Sequence, residues 1–245
     1  MLEQAAVTDV RQPISVNISP ELELGQTYQG RATFYDAANP TGGKGNSGYD
    51  VLSGGALGGI TAINNVQWNG SEASGAFLSV SGPKQRAGAA PIVVQVSDLL
   101  YERADGLDLS AEAFFQVADP VAGVVDIEYQ LISPDDNFVT PYGYSIGQGI
   151  VVEGIPESNP NYGAVRLNNH RNPVESVDLL EADGDLVSLE RGSDNRFVLD
   201  TGTPLTGAQD LVVTDIFGQQ VTLNDIDITS GSSADVITGE QFGVI

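Results

Sequence analysis

Cysteine is absent from the 245-residue chain, so neither a disulfide framework nor a thiolate metal site is available to it. Histidine and tryptophan occur once each, as His170 and Trp68, and lysine only as Lys44 and Lys84. No apolar run approaches the roughly 20 residues of a membrane-spanning helix. The opening MLEQAAVTDV also lacks the charged-then-apolar pattern of an export signal. The chain therefore reads as cytosolic or as a mature form whose signal is missing. Positive charge is scarce: 10 Lys+Arg stand against 33 Asp+Glu, for a net charge of -23 and a pI near 4.1. Such a chain repels nucleic acid, anionic lipid and acidic polysaccharide at low ionic strength, so neither nucleic acid nor membrane is an expected partner. The acidity suits a saline habitat, where screening relieves self-repulsion, or is ordinary acidic solubility.

Glycine and proline are plentiful, at 29 and 12, and 41% of the residues are hydrophobic. Many turns around short apolar segments favour an all-β fold, and the length suits one large domain or two small ones. Residues 1–26 lack periodicity and read as an extended arm. Candidate strands then run from Arg31 to Tyr35, Ile60 to Asn64, Ala76 to Val80, Ile92 to Ser97 and Val125 to Ile132. The last alternates Val125, Ile127, Tyr129 and Leu131 with Asp126, Glu128 and Gln130, the period of a half-buried strand. One helix is expected, capped by Ser110, with Ala113, Phe114 and Val117 on one face. The Gly-, Asn- and Ser-rich segment from Asn39 to Gly59 reads as loop.

Ser133-Pro134-Asp135-Asp136-Asn137 interrupts the pattern with turn formers and marks the expected domain boundary. Beyond it, short strands are expected at Ala164–Asn168, Ser176–Leu180, Leu186–Leu189, Phe197–Asp200, Leu211–Asp215 and Gln220–Leu223, divided by Asp/Gly turns. That spacing suggests a β-sandwich. The segment 230–245, opening Ser230-Gly231-Ser232-Ser233, reads as a flexible tail. The acid pairs Asp183/Asp185 and Asp225/Asp227 fit no full calcium loop and read as solvated turn acids, and no nucleotide fingerprint is present. No metal or cofactor is expected.

Seven short segments, in order, carry a resemblance. They are Gly30-Arg31-Ala32-Thr33-Phe34-Tyr35, Gly45-Asn46-Ser47-Gly48-Tyr49, Ile60-Thr61-Ala62-Ile63-Asn64, and Val80-Ser81-Gly82-Pro83-Lys84. Then come Val96-Ser97-Asp98-Leu99 with Leu107-Asp108-Leu109-Ser110, Asn169-His170-Arg171-Asn172-Pro173-Val174, and Val213-Thr214-Asp215-Ile216-Phe217-Gly218. Each is weak alone; together they span about two hundred residues and resemble the bacterial expansins. The resemblance implies an all-β chain in which a six-stranded double-psi β-barrel (27–133) is followed by an immunoglobulin-like β-sandwich that binds carbohydrate (134–229).

It also implies a secreted, monomeric protein that binds polysaccharide, either β-glucan or peptidoglycan, and loosens it without hydrolysis or catalytic residues. Thr33, Tyr35, Asp98, Tyr101 and Asp108 would line the barrel groove, Asp108 being the family's key carboxylate. Leu100 stands where many members carry a tyrosine, and Tyr101 follows it. Inverting hydrolysis needs two carboxyl groups about 6.5–9.5 Å apart, and expansins keep the acid but lack the base. On the residues alone, Asp108 reads equally as a helix-capping acid, Thr33 as a strand former and Asp98 as a turn residue. In the second half, Asn161 and Tyr162 fall where relatives carry adjacent tryptophans, and Asp194 falls near their third aromatic. This eroded platform implies weak binding or a ligand other than cellulose, with Tyr142 and Tyr144 as possible substitutes. His170 would be structural, bonding a turn. Two other functions stay open. One is a hydrolase or lytic transglycosylase using Asp36 or Asp50 as the second carboxylate; the other is an inert matrix module.

Overall fold

A computed structural model describes residues 19, 21–37, 44–49, 59–200, 204–232 and 234–245. The first half is a closed barrel of six strands, β1 (Tyr28–Tyr35), β2 (Ile60–Asn64), β3 (Phe77–Ser81), β4 (Ile92–Leu100), β5 (Leu107–Ser110) and β6 (Val125–Ile132). Their order around the barrel is β1-β5-β2-β4-β3-β6. β1 pairs parallel with β5 and β2 parallel with β4, whereas the other neighbours are antiparallel. Closure leaves no open edge on this sheet. Alternation along the strands sends Ala32, Leu78, Val80, Val94, Val96, Leu107, Leu109, Ile127 and Tyr129 inward, all at most 2% exposed.

Helix α1 (Asn65–Trp68) follows β2, its first turn capped by the Asn64 side chain, which accepts from Gln67 N. Helix α2 (Pro83–Arg86) follows β3, and α3 (Ala111–Val117) follows β5. In α3, Ala113, Phe114 and Val117 bury the face expected from their spacing, and Ser110 occupies the N-cap position. Phe34 of β1 stacks obliquely on Phe114, with ring centroids 4.7 Å apart, and so ties the helix to the barrel wall.

The second half consists of two antiparallel sheets. One has four strands in the order β10-β9-β13-β14: β9 (Val174–Leu180), β10 (Leu186–Ser188), β13 (Gln209–Asp215) and β14 (Gln220–Ile226). The other has five in the order β11-β12-β8-β7-β15: β7 (Val151–Gly154), β8 (Tyr162–Asn168), β11 (Glu190–Arg191), β12 (Arg196–Asp200) and β15 (Asp235–Ile237). Val152, Val165, Leu167 and Phe197 from one sheet meet Val177, Leu179, Leu211, Val213 and Leu223 from the other in a single core.

Two expectations change here. The segment 230–245 is not a flexible tail. β15 pairs with β7, Asp235 opposite Glu153 and Ile237 opposite Val151, and Phe242, 1% exposed, completes the second core. Gly231 and Ser232 belong to a connection that brings this strand onto the edge of β7, and an apolar residue beyond it then has a core to enter. The arm is likewise no free extension where it is described. Leu22 is buried in the barrel core, Leu24 bridges Leu131, and the Tyr28 hydroxyl donates to Glu21 O while accepting from Glu23 N. Residues 1–18 and 20 of the expected arm, and most of the expected loop from Asn39 to Gly59, lie outside the described residues.

The halves share a polar seam. Tyr49, 1% exposed, donates from its hydroxyl to Leu167 O at 3.1 Å, and Trp68 Nε1 donates to Ser193 O at 3.2 Å. Ser71 Oγ donates to Gly192 O at 2.9 Å, and Asn195 Nδ2 reaches Tyr49 Oη at 3.3 Å. His170 lies in this seam as a hydrogen-bonding group, its Nδ1 donating to Asn172 O at 2.8 Å and its Nε2 3.4 Å from the Tyr49 hydroxyl. A side chain at Gly75 would come within 2.4 Å of the His170 ring, and Gly75 has φ +76°, so close approach and backbone conformation both require glycine there.

Candidate functional site

The parallel pairing of β1 with β5 sets Thr33 opposite Asp108. Thr33 Oγ1 donates to Asp108 Oδ1 at 2.5 Å. Alternation places Arg31, Thr33 and Tyr35 on the face of β1 opposite the buried Ala32. Asp108 therefore lies in a strand with its carboxylate turned away from the core, and it is not a cap of α3. Burial pushes the Asp108 carboxyl above its ordinary pKa, with smaller contributions from Asp98 and Glu102, while the Thr33 hydrogen bond and Arg103 oppose the rise.

Arg103, which the sequence reading did not single out, braces this corner. Its Nη2 donates to Arg31 O at 2.8 Å, its Nη1 lies 3.5 Å from Thr33 Oγ1, and its Nε is 3.5 Å from Asp105. The signal available was a lone arginine among acids, in Glu102-Arg103-Ala104-Asp105.

Asp98 has a different use. Its Oδ1 accepts from Asn46 N at 2.7 Å and from Leu99 N at 2.8 Å, binding the 44–49 segment to the bulged pairing between β2 and β4. The backbone passes so close that a Cβ on Gly45 would stand 2.5 Å from Ser97 O. Tyr35 lies nearby: burial chiefly, then the Asp98 carboxylate, raises its phenol pKa, partly offset by a hydrogen bond with Ser97. Tyr101 is 66% exposed, and its hydroxyl accepts from Asn46 Nδ2 at 2.8 Å. Thr33, Tyr35, Asp98, Tyr101 and Asp108 thus come together on one face of the barrel. Asp36 follows β1 and is exposed, and Asp50 lies outside the described residues.

The three positions singled out in the second half do not form one patch. Tyr162 opens β8 opposite Asp200, with Asn161 just before it. Asp194 is in the β11–β12 turn, at the other end of β12, and pairs with Arg196 at 2.6 Å. Between them the outer face of β7 and β8 carries Arg166, 3.6 Å from Glu153, and Gly48 of the barrel lies against the Arg166 guanidinium. Tyr142 packs edge-on to Tyr49 with centroids 5.4 Å apart, and burial raises its pKa. Tyr144 donates to Asp235 at 2.6 Å. Tyr142 is thus a packing residue of the seam, not a substitute platform.

No protein-family model and no curated protein matches the chain. Among solved structures, the Clavibacter michiganensis expansin matches in two forms. A point mutant in complex with cellohexaose has 25% identity and a TM-score of 0.72, and the apo protein has 25% identity and a TM-score of 0.73. Each match covers 90% of this chain and 100% of the other. Barrel, paired sheets and their succession thus define a mostly β protein of the expansin type. The chain is a bacterial-expansin-like protein.

Proposed function

We propose that the protein is a secreted, non-hydrolytic, wall-loosening protein whose barrel groove grips a polysaccharide, either β-glucan or peptidoglycan. On this reading residues 27–133 form a double-psi β-barrel and residues 134–229 an immunoglobulin-like sandwich, to which the folded segment 230–245 adds a strand. The cellohexaose complex of the Clavibacter protein supports a polysaccharide-binding role. The observation that carries the non-hydrolytic reading is the unequal use of the two acids. Asp108 keeps a carboxylate on the outer face, held by Thr33, whereas Asp98 is engaged with the backbone N–H groups of Asn46 and Leu99. One carboxylate can compete for glycan hydroxyls through charge-assisted hydrogen bonds, but hydrolysis needs a second one placed as base.

The raised pKa of Asp108 is also what a general acid requires, so a hydrolase or lytic transglycosylase is the second reading, with Asp36 or Asp50 as base. The two readings separate when the protein and its Asp108→Asn variant are incubated with soluble and insoluble β-glucans and with peptidoglycan, at low and high salt. Bound protein, released reducing ends and released muropeptides are measured. Binding without release supports the proposal, and the preferred polymer identifies the ligand. Release that disappears in Asp108→Asn overturns it.

A further inference from the structure

The connection between β4 and β5, residues 101–106, is pressed against β1. A Cβ on Gly106, whose φ is +75°, would stand 2.0 Å from Arg31 O, so only glycine allows the approach. From the other side α1 holds the connection: Asn65 N donates to Arg103 O and Asn65 Nδ2 to Tyr101 O, each at 3.1 Å. Arg103 therefore starts from a fixed backbone, and its side chain, 18% exposed, reaches across β1. Its Nη2 donates to Arg31 O at 2.8 Å and its Nε stands 3.5 Å from Asp105, which leaves Nη1 at 3.5 Å from Thr33 Oγ1.

The chemistry of that contact has a direction. A guanidinium carries donors only, and a hydroxyl has a single hydrogen to give. Facing Arg103, Thr33 Oγ1 is an acceptor, and its hydrogen goes to Asp108 Oδ1. A carboxyl that receives such a bond is favoured in its ionised form. The charge of Arg103 acts the same way: it and the Thr33 bond oppose the burial, Asp98 and Glu102, which resist ionisation of Asp108. Among the described residues, the other titratable or charged side chains on the elements around Asp108 are Arg31 and Tyr35 of β1, Tyr101 and Asp105 of the connection, Glu112 of α3 and Lys44 of the 44–49 segment, and β2 has none. Arg31 is drawn to Asp105 at 3.4 Å, which leaves Arg103 as the cation that reaches the Thr33–Asp108 pair.

We propose that Arg103 is a positioning residue for the groove carboxylate: through the Thr33 hydroxyl it holds Asp108 as an anionic acceptor for glycan hydroxyls. The proposal rests on the reading that this face grips a polysaccharide, and it adds a direction to it. A general acid must keep its proton, and a guanidinium placed to oppose protonation suits an acceptor rather than a proton donor.

The test is a carbon-detected NMR titration of the Asp108 carboxyl in the whole chain, without glycan, for the protein, Arg103→Lys and Arg103→Gln. Glutamine keeps a donor for Arg31 O and removes the charge; lysine keeps the charge and loses the fork. The midpoint is expected to move to higher pH in Arg103→Gln and to lie between the two in Arg103→Lys. Pull-down on insoluble β-glucan and on peptidoglycan over the same pH range reads the consequence. Binding is expected to be lost as pH falls through the midpoint, and to be lost at higher pH in Arg103→Gln. The same spectra show whether the variants fold; if Arg103→Gln does not, a rise in Arg103→Lys carries the result. An unmoved midpoint in the folded variants overturns the proposal. So does a lysine variant displaced as far as the glutamine one, the outcome of a purely structural brace. A midpoint that moves as expected while neither polymer binds supports the role of Arg103 and overturns the polysaccharide reading instead.

Discussion

The faces that the two halves turn away from their own cores differ in chemistry. On the barrel, Asp108, Thr33 and Arg103 form a compact polar corner beside the exposed ring of Tyr101. On the five-stranded sheet, Arg166, Glu153 and Asn168 engage one another where Gly48 of the barrel lies against the Arg166 guanidinium, and Tyr162 sits at one end of β8. Aromatic rings on a flat sheet recognise the apolar faces of sugars with little regard to sequence or branching, whereas a buried-edge carboxylate recognises hydroxyls one at a time. A chain with the second kind of site and little of the first is expected to select by hydrogen bonding more than by adhesion.

The halves also differ in how they close, and this difference gives the largest expected effect. The barrel closes on itself, while the second half depends on β15 and Phe242. Phe242→Ala is expected to destabilise the second half by about 3–5 kcal/mol and to leave the barrel's amide protection unchanged in hydrogen exchange. Uniform loss across both halves would show that the seam makes them one cooperative unit.

Acid is expected to act on the halves in opposite directions. His170 is buried neutral, and burial lowers its pKa from 6.5 to about 4, with Arg191 adding to the depression and the Asn172 hydrogen bond opposing it. Between those values the unfolded chain binds more protons than the folded one, so stability falls as pH drops from about 6.5 to about 4, by about 3 kcal/mol. Asp108, whose folded pKa is raised, binds more protons folded than unfolded just above the ordinary aspartate pKa, so its contribution improves as pH falls through that window. Denaturant melts of the protein and of His170→Gln at a series of pH values separate the two. The variant is expected to lose most of the acid sensitivity.

Smaller effects sharpen the chemical contrast. Thr33→Val removes the hydrogen bond that favours ionised Asp108, a charge-assisted bond of about 1.5–3 kcal/mol. A carbon-detected titration should show the Asp108 pKa rising further, and glucan binding should weaken about tenfold. Because Asn161 and Asp194 lie at opposite ends of β12, Asn161→Trp beside Tyr162 should add about 0.5–1.5 kcal/mol to cellulose binding, and Asp194→Trp should add nothing to it, measured by pull-down. An equal gain from both would show that the two ends of β12 face the polymer together.

Five of the six barrel strands were legible as short apolar segments between turns, but only Val125 to Ile132 by alternation, because a half-buried strand writes its period directly into the sequence, whereas β2 is buried along its whole length. β5 was not: Leu-Asp-Leu-Ser is four residues long and runs straight into α3, so Asp108 looked like a cap. β7, β11 and β15 are as short or shorter, and their pairing partners decide them more than their composition does. In the site, sequence supplied the residue types but not their uses. The opposition of Thr33 and Asp108 arises from a parallel pairing between residues 75 apart. The engagement of Asp98 with the backbone depends on a β-bulge and on the close passage of Gly45.

The pairing of β15 with β7 also has a consequence for the order of events during synthesis. Every strand of the barrel lies between Tyr28 and Ile132, so the barrel can close while the second half is still being made. β7 cannot gain its edge partner, nor the second core its phenylalanine, until Asp235–Ile237 and Phe242 have left the ribosome. A chain halted at residue 234 should therefore present a protease-resistant barrel and a second half that is readily digested.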